Sequence, residues 1–336
     1  ARDFLDQLIT NVMPRPGRMV LAPMTNPAGK LIGDLTVACP VPALGEAEGP
    51  KTTATGGATA NTAINERFFV FGSGTAERFY ERWFDEYLPT DGSVQYRTHG
   101  WEMCGLSIAG PRSRELLGRV TNADVSADSF RFMAFRELEV GWARVWCGRV
   151  SYSGDLGYEF WMPSGMQRYV YDTLMAAGAD LDVRLFGTAT LNSLRLEKGF
   201  GSWAREFRPL YTPFEAGLDR FVKLDLDKKP NGFIGRGALV AAKAEGPSLR
   251  LLTWAVDADE HDVIGDEPIW YDDEVVGWVT SGGYAHHVDT SVALGYVPAG
   301  LEAATGSFEI EIVGVRRQAT LVDGCLWDTD ATRMRG

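Results

Sequence analysis

A single carboxylate, Asp34, stands in the otherwise uncharged run Gly33-Asp34-Leu35-Thr36-Val37. If this run is a strand, alternation places Ile32, Asp34 and Thr36 on one face and Leu31, Gly33, Leu35 and Val37 on the other. A carboxylate held there could orient an amine or accept its proton. Spacing alone favours the plainer reading, a solvated or capping Asp, because charged strand residues are mostly exposed.

A second stretch, Arg149-Val-Ser-Tyr-Ser-Gly-Asp-Leu-Gly-Tyr-Glu159, leaves a strand, passes two glycines and returns to a strand from Tyr158 to Met162. The glycines would let a flat heterocycle approach the backbone, and Glu159 could accept paired N–H donors from an amino-pyrimidine edge. A plain β-turn explains the glycines equally well. In Leu191-Asn-Ser-Leu-Arg-Leu-Glu-Lys198, Leu191 and Arg195 share one helical face and Leu194 and Lys198 an adjacent one. These cations could reach an anionic ligand tail, although a surface ion pair of Arg195 with an acidic neighbour is the simpler reading. Gly199-Phe-Gly-Ser-Trp-Ala-Arg-Glu-Phe207 follows, where Trp203 could stack a ring and Arg205 hold an anion. A core Trp beside a surface Arg fits as well.

The four histidines, His99, His261, His286 and His287, lack HxxxH or HExxH spacing, so no metal site is expected. No GxGxxG opens a helix after a strand, which argues against a dinucleotide fold in this chain.

To position these residues the sequence offers a short helix ending near Pro14, a strand from Arg18 to Met24, a turn at Asn26-Pro27-Ala28-Gly29 and a strand from Lys30 to Val37. From Pro40 to Asn65, small and polar residues dominate, as in a flexible insertion unable to bury a face. Apolar residues spaced by four between Thr75 and Leu88 mark a helix, and Gly110-Pro111 opens another. Strands are expected over Phe132–Glu139 and Trp142–Tyr152, and a helix over Gln167–Ala177, an α+β pattern. Beyond about Gly246 the pattern turns to strands: Leu251–Val256, Val275–Thr280 and Phe308–Glu311, with Gly282-Gly-Tyr-Ala-His286 as a hairpin turn. The expected division is therefore 1–245, α+β, and 246–336, a β-barrel.

With 336 residues, 45% of them hydrophobic and 23% charged, the chain has globular proportions and room for more than one core. A net charge of −12 without a basic block argues against nucleic acid. Four widely spaced cysteines fit a reducing compartment, and no apolar run reaches the length of a membrane span. The start, Ala1-Arg2-Asp3-Phe4-Leu5-Asp6, lacks the apolar core of a signal peptide. The expectation is a soluble, cytoplasmic protein without membrane contact.

Taken together, these motifs resemble the folate-binding family that includes the aminomethyltransferase of the glycine cleavage system and the C-terminal parts of dimethylglycine and sarcosine dehydrogenases. Met24-Thr-Asn-Pro-Ala-Gly-Lys-Leu-Ile-Gly-Asp-Leu-Thr-Val37 looks like the family's hairpin with its catalytic carboxylate, which falls on Asp34. Tyr152-Ser-Gly-Asp-Leu-Gly-Tyr-Glu159 resembles the pterin loop, closing on Glu159. Leu194-Arg-Leu-Glu-Lys-Gly199, Phe200-Gly-Ser-Trp-Ala-Arg-Glu206, Glu215-Ala-Gly-Leu218, Phe233-Ile-Gly-Arg236 and Gly277-Trp-Val-Thr-Ser-Gly282 follow in family order. Phe69-Val-Phe-Gly-Ser-Gly-Thr75 and Ser202-Trp-Ala-Arg-Glu206 look more like the dehydrogenase branch.

The resemblance implies a clover-leaf α+β fold with a C-terminal β-barrel around a central channel for tetrahydrofolate. A methylene iminium or formaldehyde from a dimethylglycine- or sarcosine-type amine would meet N5 or N10 there, giving 5,10-methylenetetrahydrofolate. It implies Asp34 as the catalytic residue and Tyr152, Glu159, Arg195, Trp203, Arg205 and Ser73 as cofactor-binding residues. That branch carries a flavin domain, so FAD is expected only on a domain or partner outside this chain, and a homo-oligomer is possible. The alternatives are a stand-alone tetrahydrofolate-dependent demethylase or aminomethyltransferase, and a non-catalytic folate-binding module.

Overall fold

A short helix, α1 (Arg2–Leu8), precedes a hairpin of β1 (Arg18–Thr25) and β2 (Leu31–Cys39) in this computed structural model, which describes residues 1–41 and 66–336. The insertion expected over 40–65 falls, apart from Pro40 and Val41, outside the described residues. α1 ends earlier than expected because Ile9 leaves the helix and bridges to Met24 of β1. The edge strand β3 (Phe69–Phe71) pairs with β2, opposing Phe71 to Thr36.

The helix α2 (Glu77–Tyr87) covers the outer face of this sheet, laying Tyr80 and Trp83 on Leu35, Val37 and Phe4. A second sheet holds β4 (Met103–Ala109), β5 (Phe135–Val140), β6 (Ala143–Gly148) and β7 (Gly157–Pro163), in the antiparallel order β4-β7-β6-β5. The helices α3 (Ser113–Val120) and α4 (Gln167–Ala177) pack on one of its faces. Alternation explains that core: Tyr158, Phe160 and Met162 of β7 point toward the helices and are fully buried with Leu117 and Val170. Each such side chain contributes roughly 1.5–3 kcal/mol by leaving water. The strand expected over Trp142–Tyr152 stops at Gly148, after which the Arg149 guanidinium turns inward to the Phe130 carbonyl at 2.8 Å.

α5 (Thr188–Glu197) and α6 (Arg236–Glu245) lead to six further strands. These are β8 (Leu249–Val256), β9 (Pro268–Tyr271), β10 (Glu274–Ala285), β11 (Thr290–Pro298), β12 (Phe308–Ile312) and β13 (Val315–Val322). They close into a barrel filled by Trp254, Ile269, Val279 and Ile310, and a last helical turn, α7 (Thr332–Arg335), follows. Gly282 and Gly283 are not the expected hairpin turn: β10 runs on to Ala285, and a Cβ on Gly282 would come within 2.5 Å of Val263. The glycine there answers a close approach inside the strand. Among the described residues no helix is long and apolar enough to cross a membrane.

Candidate active site

Asp34 owes its direction to a β-bulge. Met24 pairs with Gly33 but Thr25 pairs with Leu31, so Ile32 is the extra residue of β2. Ile32 therefore joins Leu35 and Val37 in the core under α2 and does not share the face of Asp34, which corrects the simple alternation. Ala38, on the face of Asp34 and Thr36, packs with its neighbour Phe69 of β3 and with Phe135 of the facing sheet. The carboxylate thus points into the space between the two sheets. Gly33 is required beneath it, since a Cβ there would lie 2.5 Å from the Tyr80 ring.

The opposite wall is β7, where Glu159 and Trp161 are half-buried on the face turned away from the helices. Glu159 stands between Ser107 of β4 and Gly148 of β6 in register. An aromatic cluster closes the space behind them: Trp161 stacks on Phe71 with centroids 4.0 Å apart, and Phe135 stacks on Trp146 at 5.3 Å. Beyond that cluster Ser107 and Gly105 are exposed, and Asp34, Thr36 and Glu159 stay half-buried. Ser73 lies two residues past Phe71 on the strand beside Thr36, its hydroxyl 2.9 Å from that of Thr75.

Burial sets the protonation of both carboxyls. It pushes Asp34 up to about 6, opposed by a hydrogen bond from its own backbone N–H and assisted by the negative charge of Glu206. It pushes Glu159 up to about 7. Two carboxyls able to change charge near neutrality thus stand on the facing sheets, each suited to proton exchange with a bound amine.

Tyr152 borders this space from the glycine loop. Its hydroxyl donates to the Gly201 carbonyl at 2.8 Å and its ring lies parallel to Phe200 at 6.1 Å. Burial pushes the phenol up to about 12, with Arg195, Glu206 and Asp34 close enough to act on it. Asp34 and Arg195 therefore both lie near Tyr152.

Arg195, however, is no surface cation, nor is its guanidinium free for an anionic tail. It is 2% exposed and engaged with Asn192 at 2.8 Å, the Phe200 carbonyl at 3.0 Å, Ser281 at 2.8 Å and Glu206 at 3.4 Å. Glu206, fully buried, also accepts from the Ser202 amide at 2.7 Å and the Ser281 hydroxyl at 2.5 Å. This network fixes the backbone around Phe200 and Gly201, on which Tyr152 leans. Trp203 donates from Nε1 to the Ile32 carbonyl at 3.2 Å and meets Tyr80 edge-on, so it braces the bulge next to Asp34. Arg205 stands apart at the surface, paired with Asp266 of the barrel at 3.3 Å.

Sequence reasoning did not single out Glu206, Phe71, Trp161 or Ser107. The first was visible only as a member of a motif. Trp161 shares a face with Glu159 by strand alternation, whereas Ser107 and Phe71 matter because register brings them beside Glu159 and Thr36, information absent from local spacing. Tyr80 is a further member: its hydroxyl is buried, feels the charge of Asp34, and finds no hydrogen-bond partner among the described residues. Among those residues no group of three or more His, Cys, Asp or Glu could hold a metal ion.

Residues 52–226 match the family model described as the GCVT N-terminal domain, and residues 250–328 match the glycine cleavage T-protein C-terminal barrel domain. The chain is 34% identical to mitochondrial dimethylglycine dehydrogenase of Homo sapiens over 99% of its own length and 36% of that protein. It thus spans about a third of the length of that relative. It is 28% identical to an aminomethyltransferase of Halothermothrix orenii, covering 95% of this chain and 80% of the relative. The crystal structure of glycine cleavage system aminomethyltransferase T from Bartonella henselae superimposes with a TM-score of 0.76 at 19% identity, over 96% of this chain and 80% of that one, which shows a shared fold.

Proposed function

The chain belongs to the glycine cleavage T-protein family, and from that premise we propose that its inter-sheet space binds tetrahydrofolate and transfers a one-carbon unit to it. The observation that carries this reading is the placing of Asp34 and Glu159 on two facing sheets joined by the Phe71–Trp161 stack, each carboxyl able to change charge near neutrality. Similarity to dimethylglycine dehydrogenase supports an oxidatively demethylated amine of the dimethylglycine or sarcosine type as donor, with flavin chemistry on a domain or subunit outside this chain.

The residues present suit such a ligand. Glu159, as carboxylate, accepts the paired N–H groups of an amino-pyrimidine edge, and Ser107 beside it offers a hydroxyl. The stack of Trp161 on Phe71 forms an apolar backing for a flat ring system. When bound, tetrahydrofolate supplies the nucleophilic nitrogens. Asp34 approaches from the other wall, holds the reacting nitrogen in place and accepts its proton, which a carboxyl near 6 does while remaining mostly ionised at neutral pH. With formaldehyde as donor, the two N–H hydrogens of tetrahydrofolate and the carbonyl oxygen would leave as water, and the product would be 5,10-methylenetetrahydrofolate.

Asp34→Ala tests this. With tetrahydrofolate and an amine oxidation that releases formaldehyde, the catalysed formation of methylenetetrahydrofolate should fall by roughly 10²–10⁴-fold, the worth of a positioned acid-base group, while tetrahydrofolate affinity stays within a factor of about 3. Unchanged transfer sinks the role of Asp34, and a loss of affinity alone points to a non-catalytic folate module. A stand-alone aminomethyltransferase is a second reading, favoured by the near full-length alignment with one. It requires transfer from a protein-bound aminomethyl donor, which the same assay reads with the donor exchanged.

A further inference from the structure

The last twelve residues lie on the ligand loop and not on the barrel alone. The amides of Leu326 and Trp327 both donate to the Glu197 carbonyl at the end of α5, at 3.1 and 3.0 Å. Lys198, the next residue, points its ammonium into this segment. It meets the Trp327 carbonyl at 3.3 Å, the Asp328 carbonyl, and the Asp328 carboxylate at 3.2 Å, in an ion pair whose side chains are 4% and 3% exposed. Asp328 in turn accepts from the Thr332 hydroxyl at 3.0 Å and the Arg333 and Met334 amides at 3.1 and 3.2 Å. One carboxylate therefore folds the tail into α7 and ties it to α5.

The other side of this assembly touches the loop carrying Tyr152. Gly154, at φ +79°, sits on the Lys198 stem so closely that a Cβ would come within 2.8 Å of the Lys198 Cβ and Cγ. Arg149, 1% exposed at the start of the loop, donates from Nη2 to the Arg335 carbonyl and to the Gly336 oxygen at 3.1 Å. Gly336 also reaches Leu156 at the loop's far end, a Cβ on it falling 3.0 Å from the Leu156 Cδ1. Both ends and the middle of the loop thus rest on one unit made of Lys198 and the tail.

We propose that residues 325–336 act as a strap that holds the loop 151–156 in its ligand-binding conformation, with Lys198 and Asp328 as positioning residues for Tyr152 and Glu159. The strap does no chemistry. It removes conformations of the glycine loop that would otherwise have to be given up on binding, so its effect is read as affinity and as local exchange. The affinity part rests on the reading of this loop as part of a folate site; the exchange part does not.

The test compares Lys198→Met and Asp328→Asn with wild type in the full chain, by hydrogen exchange resolved to peptides and by tetrahydrofolate titration. Loop amides 150–156 should exchange at least about tenfold faster and the Kd rise about tenfold, while β8 to β13 exchange as in wild type. Unaltered loop exchange overturns the proposal. So does a parallel rise throughout the barrel, which would make the ion pair a general pin of the fold. Should either variant fail to fold, removal of Arg335 and Gly336 decides, since it takes both oxygens from Arg149 and leaves the loop sequence, Lys198 and Asp328 unchanged. Faster loop exchange in that variant supports the strap, and wild-type exchange overturns it. If wild type binds no tetrahydrofolate, the folate reading fails while the exchange result still stands.

Discussion

Asp34 and Glu159 hold their protons to higher pH than carboxyls in water, and this reverses the usual effect of pH on a carboxylate's contribution to stability. The folded carboxyls titrate near 6 and 7, against ordinary values of 3.8 and 4.5. Their contribution is full below the ordinary values and is lost as pH rises through the folded ones. Glu159→Gln should therefore be the more stable protein at pH 8, by on the order of 2 kcal/mol, and lose that advantage at pH 4, as urea midpoints would show. A ligand that donates N–H groups to Glu159 binds its charged form, so tetrahydrofolate affinity should weaken between pH 8 and pH 6 in wild type and not in the variant. An equal slope in both would remove Glu159 from the ligand. The residue types were legible in the sequence, because an isolated Asp in an uncharged strand and a Glu closing a glycine loop are local patterns. Their opposition was not, since it depends on two sheets meeting through Phe71 and Trp161.

The helix α5 shows how an element can be read correctly and its face misread. Four-residue spacing relates Leu191 to Arg195, yet what surrounds that face is set by Glu206 and Ser281, distant along the chain. Arg195 is thereby a buried half of an ion pair. Arg195→Met leaves Glu206 charged without its partner and should cost about 3–5 kcal/mol, measured by equilibrium denaturation. A cost below about 1 kcal/mol, the range of exposed pairs, would return Arg195 to the surface class. The same dependence on distant partners hid β11, whose residues from Ser291 to Val297 are all buried and show no alternation. It also hid the strand role of Gly282, where tightness against Val263 and not turn geometry selects glycine. The hairpin of β1 and β2 and the helix α4 were legible because one buried face repeats in each sequence.

Across the molecule, the barrel shares buried polar contacts with α5 and the segment that follows it, up to Tyr211. Tyr296 of β11 stacks on Tyr211 at 3.6 Å and donates its hydroxyl to the Glu206 carbonyl at 2.8 Å. Ser281 joins Arg195 to Glu206, and Ser193 of α5 donates to the Tyr284 carbonyl at 2.7 Å. A barrel separated from the rest would leave these groups without partners, so the chain should unfold in one denaturant transition, with coincident midpoints by tryptophan fluorescence and circular dichroism. Two resolved transitions would show the barrel to be thermodynamically independent. The change of pattern near Gly246 was plain in the sequence, but contacts that tie the two parts together were not, because each joins residues far apart along the chain.

The bulge at Ile32 makes the candidate site a matter of parity. One residue too many between Leu31 and Gly33 decides whether the carboxylate faces the space between the sheets or the apolar core under α2. Changes of length at that point are therefore not graded in their effect. An odd insertion or deletion exchanges the two faces of the strand, whereas an even one restores them, so a lineage could change strand length at the bulge only in steps of two while keeping its acid on the same side.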